Sequence, residues 1–168
     1  MNDNVIRAAA FAARCAGAAT AAYGLATLLG LPEAVWAAMS ALIVSQDRLC
    51  ETRSSLAGRI EGTLLGSAVT VAVSGLASDV TASTATQLAV TVAISAAVAH
   101  RFPALRVAMW TCPIILLTAQ PSIPIDVVAL RRGSEVVLGA LMGATFHWTA
   151  ELVVDALPRL IRSLHVHV

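Results

Sequence analysis

From Phe11 to Ala150 the chain is a succession of apolar runs, near 11 to 30, 33 to 47, 55 to 77, 84 to 99, 104 to 119 and 127 to 150, separated by short joints. Such runs have no polar face to offer water, so they must be covered on every side. A hydrocarbon layer of roughly 30 Å needs about 20 residues at about 1.5 Å rise each, and the pure apolar stretch from Val136 to Ala150 is too short to cross alone. A span there must draw in part of the block Arg131, Arg132, Gly133, Ser134 and Glu135. The same holds near Arg59 and Glu61. With 58% hydrophobic and 12% charged residues, against a charged fraction of about a quarter in soluble domains, the composition predicts an integral membrane protein.

The Ala, Leu and Val runs lack the alternation of a transmembrane barrel, so the expected fold class is all-α, with residues 1–168 forming a single domain of six transmembrane helices. The first apolar run continues past Arg14 to about Leu31, longer than the apolar part of a signal peptide, and reads as the first span. All eleven basic residues are arginine. With a cytoplasmic N-terminus, Arg7, Arg14, Arg48, Arg53, Arg59, Arg101, Arg106, Arg159 and Arg162 fall on the inner side and only Arg131 and Arg132 on the outer. That distribution predicts both termini in the cytoplasm, with Asp79 and the joint 121–126 outside. A net charge of +1 gives no reason to expect a nucleic-acid partner.

The chain also repeats. Ala38-Met39 after Trp36 matches Ala108-Met109 before Trp110, Gln46 matches Gln120, Arg59 matches Arg132 and Gly66 matches Gly139, at an offset that drifts from 70 to 73 or 74 residues. Three helices per unit would make the second copy enter from the opposite side, the inverted repeat common in transporters. Arg59 is then expected near the inner end of the third helix and Arg132 near the outer end of the sixth. Gly58, Gly62 and Gly66, like Gly139 and Gly143, recur every fourth residue. These stripes are read as surfaces of close helix packing. Pro113 is expected to kink or break the fifth helix.

Three segments carry a family likeness: Leu31-Pro32-Glu33-Ala34-Val35-Trp36-Ala37-Ala38-Met39, then Arg59-Ile60-Glu61-Gly62-Thr63-Leu64-Leu65-Gly66, then Arg132 with Glu135, Gly139 and Gly143. In this order the chain resembles the fusaric acid resistance and aromatic acid exporter family, which is related to the plant aluminium-activated malate transporters. The resemblance implies export of aromatic carboxylates and, from the malate channels, an arginine-lined pore built from paired six-helix units. Larger relatives carry a cytoplasmic domain or a second six-helix block, and this chain has neither, which implies a homo-oligomer, most simply a homodimer.

The residues point the same way by their chemistry. A guanidinium stays charged and its planar fork matches a carboxylate at two points, so Arg59 and Arg132 are the candidate contacts for an organic anion. The competing reading has each arginine reaching the nearest interface or pairing with Glu61 or Glu135. Glu135 shares the helix face of Arg132 and is the candidate for proton coupling; Glu61 points elsewhere. Thr63, Gln46 and Gln120 are candidate hydrogen-bond donors along the path, and Trp110 is a candidate wall for an aromatic substrate, with core packing an equal reading. Trp36 is read as an interfacial anchor, and His147, beside Phe146 and Trp148, as a member of the aromatic belt. His100, His165 and His167 show no metal pattern, the cysteines Cys15, Cys50 and Cys112 lack metal spacing, and neither metal nor cofactor is expected. Catalytic motifs are absent, so an enzyme is not expected. The reading is an inner-membrane exporter of organic anions in a bacterial cell; a passive organic-anion channel and a non-transporting assembly subunit are the alternatives.

Overall fold

A backbone whose side chains are nearly all Ala, Val, Leu and Gly satisfies its hydrogen bonds within each segment, and the chain does so as helices. The computed structural model describes residues 3–46, 48–79 and 82–165. The helices are α1 (Asp3–Leu28), α2 (Val35–Val44), α3 (Leu49–Asp79), α4 (Thr84–Arg101), α5 (Ala108–Thr118) and α6 (Ile125–His165), with a 3₁₀ helix, Pro103–Val107, leading into α5. The described residues hold no strand. His167 lies outside the described residues, as do the side chains of Arg159, Arg162 and His165.

Local chemistry sets the joints. Gly30, at φ 69°, ends α1 and lets the Leu31 N–H reach back to the Ala26 carbonyl at 3.0 Å. The Ser83 hydroxyl accepts the Thr86 N–H at 3.2 Å and starts α4. Pro103 opens the 3₁₀ helix, where its missing N–H costs nothing. Pro113 lies inside α5. Each of the six helices overlaps one of the six apolar runs, with α1 starting earlier and α6 ending later than its run, but among the described residues only Cys50–Ser78 in α3 is both long and apolar enough to cross a membrane by itself. The α2 segment Val35–Val44 and the stretch Pro103–Thr118 are apolar and shorter.

Packing crosses the sequence halves. The first two helices of each half pair with each other, α1 on α2 and α4 on α5, but the third helix of each half packs on the other half. Thus α6 lies against α1 and α2, while α3 lies against α4, the 3₁₀ helix and α5, and α3 and α6 meet in the middle. The cores are built largely from alanine: Ala18, Ala22 and Ala26 of α1 meet Ala37 and Ala41 of α2, with Leu138 and Met142 of α6 beside them.

Glycines set how closely these helices approach. A Cβ on Gly139 or Gly143 would run into the carbonyl of Ala37 or Ala41, and one on Gly66 would stand 2.9 Å from the Ala108 carbonyl oxygen. Gly58 and Gly62 likewise face the backbone of Ala104 and Ala108. Set against the expected repeat, these contacts shift its register by one residue. Because the matching glycines Gly139 and Gly66 sit on Ala37 and Ala108, Ala37, and not Ala38, is the counterpart of Ala108. Pro32 then matches Pro103, and Trp110 takes the place of Met39, not of Trp36. In so alanine-rich a sequence, letters alone leave the register free to slip.

Candidate functional site

Arg59 on α3 and Arg132 on α6 are both buried, at 6% and 4% exposure. They were expected near opposite ends of the bundle, yet both face one central cavity of about 80 Å³. Its lining falls into matched pairs: Arg59 with Arg132, Met39 with Trp110, Ile43 with Ile114. On the α3 side, Arg59 also borders an open cavity of about 490 Å³ between the joint from α2 to α3 and the joint from α4 to α5. On the α6 side, Arg132 borders a cavity of about 70 Å³ between the joint from α1 to α2 and the joint from α5 to α6. The central cavity therefore shares Ile43 and Arg59 with the large cavity and Arg132 with the small one.

The two arginines have different company. Arg132 donates through Nη2 to Glu33 Oε2 at 2.8 Å and through Nη1 to Glu135 Oε2 at 3.1 Å. Its guanidinium carbon lies 4.2 Å from the centre of the Trp36 ring. The Trp36 indole N–H donates to Glu33 Oε2 at 2.7 Å, and the Glu33 backbone N–H donates to Glu135 Oε1 at 2.8 Å, closing the cluster. Arg59 donates through Nε to the Ser40 hydroxyl at 3.3 Å, and Ser40 in turn donates to the Val136 carbonyl at 2.8 Å. Among the described residues no carboxylate lies within 4.0 Å of Arg59. Glu61 is exposed, on another face of α3.

The other candidates divide. Gln46 lines the large cavity and Gln120 the small one on the far side. Thr63 is fully buried with an unpartnered hydroxyl and lines none of the three cavities. Trp110 walls the central cavity and is 64% exposed, so the core-packing reading fails for it. Trp36 is not a free interfacial anchor, because its ring and its N–H are both engaged by the Arg132 cluster. His147 is not in an aromatic belt. It is fully buried, with Nδ1 2.6 Å from the Thr52 hydroxyl and Nε2 3.4 Å from Glu151. Thr52 also accepts the Gln46 backbone N–H at 3.3 Å, and Arg14 donates to the Gln46 carbonyl at 2.6 Å, which ties this cluster to the rim of the large cavity.

Sequence reasoning missed Glu33 and Arg106 as site residues. Glu33 had a readable signal, a lone carboxylate between two apolar runs; Arg106, on the rim of the large cavity, had none beyond its charge. Among the described residues no cluster of His, Cys, Asp and Glu could hold a metal ion.

Comparison with curated proteins and with solved structures finds no match. The family model described as fusaric acid resistance protein-like matches residues 20–146, a stretch that holds α2 to α5 whole, the end of α1, the first half of α6, both arginines and the lining of all three cavities. On that match the chain belongs to the fusaric acid resistance protein-like family, a family of membrane transport and efflux proteins.

Proposed function

We propose that this protein exports organic anions, aromatic carboxylates above all, across the bacterial inner membrane along the path of Arg59 and Arg132. The observation that carries the reading is Arg59: a buried guanidinium with no carboxylate partner among the described residues, facing a cavity of about 490 Å³. A buried charge without a counterion is costly, and an anionic ligand would supply what the protein does not. Size agrees. A cavity of about 150 Å³ holds a benzene ring, so the large cavity has room for an aromatic acid and the two smaller ones do not.

Alternating access suits the architecture better than an open channel, because the path narrows to about 80 and 70 Å³ beyond Arg59. The short helices α2 and α5 hold corresponding places in the two halves and line the central cavity, which is where inverted-repeat transporters place their substrate. In this reading the six helices all span, with both termini cytoplasmic and the large cavity facing inward. Two copies pair at the side where Met39 and Trp110 are exposed, which keeps the central cavity from opening onto lipid.

The test is flux of organic acids, benzoate included, from vesicles holding only this chain, with and without a pH gradient. Arg59→Ala and Arg132→Ala should each abolish it. Arg132→Lys keeps the charge but loses the two-point contact, so flux should fall without vanishing. Arg7→Ala serves as a control outside the cavities and should transport normally. Normal flux in both alanine variants of the cavity arginines overturns the anion path; gradient-independent flux favours a channel, and no flux by the parent chain favours an assembly subunit.

A further inference from the structure

The two ends of the path are built from corresponding residues, and the correspondence shows what differs. Pro32 and Glu33 on the Arg132 side match Pro103 and Ala104 on the Arg59 side, and Glu135 matches Gly62. Both carboxylates that hold Arg132 are therefore replaced, at Arg59, by residues with no charge and almost no side chain. At Ala104 the space this leaves is part of the large cavity, which Ala104 and Pro103 line where Glu33 and Pro32 line the small one; at Gly62 it is taken up by Val107.

We infer that Glu33 and Glu135 occupy on Arg132 the place of a substrate carboxylate, so that the anion loads at Arg59 and reaches Arg132 only by displacing them. This rests on the transport reading above and specifies its order and its gate. Charge supports it. The charged residues of the small cavity, Arg131 and Arg132 with Glu33 and Glu135, cancel, whereas at the large cavity Arg59 and Arg106 stand against Glu51 alone and leave a net positive charge for an anion. Geometry supports it as well. The two carboxylates take one nitrogen each of the guanidinium fork, at 2.8 and 3.1 Å, and Trp36 covers its face. An incoming carboxylate can exchange for them one oxygen at a time without leaving the buried guanidinium bare, a substitution that a neutral ligand of the same shape cannot make. The gate is thus also a filter for the carboxylate group.

The experiment uses the full chain in nanodiscs, titrated calorimetrically with benzoate and with neutral benzamide, beside benzoate flux from vesicles. The parent should bind one benzoate per chain and benzamide far more weakly. Arg59→Ala should weaken benzoate binding about ten- to hundredfold, whereas Arg132→Ala should bind within about twofold of the parent yet fail to transport. Glu33→Gln with Glu135→Gln should expose a second anion site, read with formate because the cavities of about 70 and 80 Å³ beside Arg132 do not hold a benzoate ring. If the double variant does not fold, Glu33→Gln alone, at a half-exposed carboxylate, should still tighten or add formate binding. Equal loss of binding in Arg59→Ala and Arg132→Ala overturns the loading order, and glutamine variants that bind as the parent does overturn the gate, in both cases with flux intact in the parent. A parent chain that neither binds nor moves benzoate or any other organic acid overturns the transport reading and this inference together.

Discussion

On one side of the central cavity Arg59 also looks into about 490 Å³ of open space; on the other its counterpart Arg132 is wedged between two glutamates and a tryptophan beside a cavity of about 70 Å³. The helices that carry them are packed alike, with glycines of α3 on the 3₁₀ helix and α5 and glycines of α6 on α2. The difference lies in three side chains, Glu33 against Ala104, Trp36 against Val107 and Glu135 against Gly62. Two similarly packed helices therefore carry two buried cationic positions, and the side chains around each decide which of them is paired with carboxylates.

Making the ends alike should have the largest effect. Ala104→Glu puts a carboxylate where Glu33 stands on the other side, within the lining of the large cavity, and should pair with Arg59. Benzoate binding should fall at least about tenfold, the scale of one lost charge-assisted contact, and flux should fall with it. Unchanged titration would mean that the absence of a carboxylate is not what opens the Arg59 end.

Next in size is the shared scaffold. Gly139→Ala forces a methyl into the Ala37 carbonyl, while Gly24→Ala meets nothing within 4 Å. Overpacking of this kind costs about 1 to 3 kcal/mol, so thermal unfolding in detergent should occur at clearly lower temperature for the first variant and be unchanged or slightly higher for the second. Equal midpoints would show that the halves are not held by glycine contacts.

The smallest effect tests a feature with no counterpart across the repeat. Thr52→Val removes the hydroxyl 2.6 Å from His147 Nδ1 and leaves a buried ring nitrogen unpaired. The loss should be about 1 to 3 kcal/mol of stability at most, with benzoate affinity changed less than by Ala104→Glu, since Thr52 reaches the large cavity only through the Gln46 backbone. Loss of benzoate binding equal to that of Ala104→Glu would move the His147 cluster from the rim into the binding site.

The helical class and the positions of six helices were legible because runs of Ala, Leu and Val leave the backbone no other partner. Arg59 and Arg132 stood out for the same reason, as charges with nowhere polar to go. Other features depend on contacts remote in sequence. Glu33 and Arg132 are 99 residues apart, and nothing local to either announces the pair. The repeat register slipped by one residue because Ala37 and Ala38 are the same letter, and only the glycines resting on one of them decide between the two. His147, flanked by Phe146 and Trp148, carried the signature of an interface, but the partner that buries it, Thr52, lies in α3.

The exchange of third helices has a mechanical consequence. Since α6 rides with α1 and α2, and α3 with α4 and α5, the rigid pieces available for a rocking motion are not the first and second halves of the chain. Each piece is threaded from both, and the seam between them runs along α3 and α6, the two helices that bear the arginines. On the transport reading proposed above, a tilt of one piece against the other would turn about that seam and open one arginine's cavity as it shuts the other's. Neither half could be cut away and keep its own core, since each third helix packs on the helices of the other half.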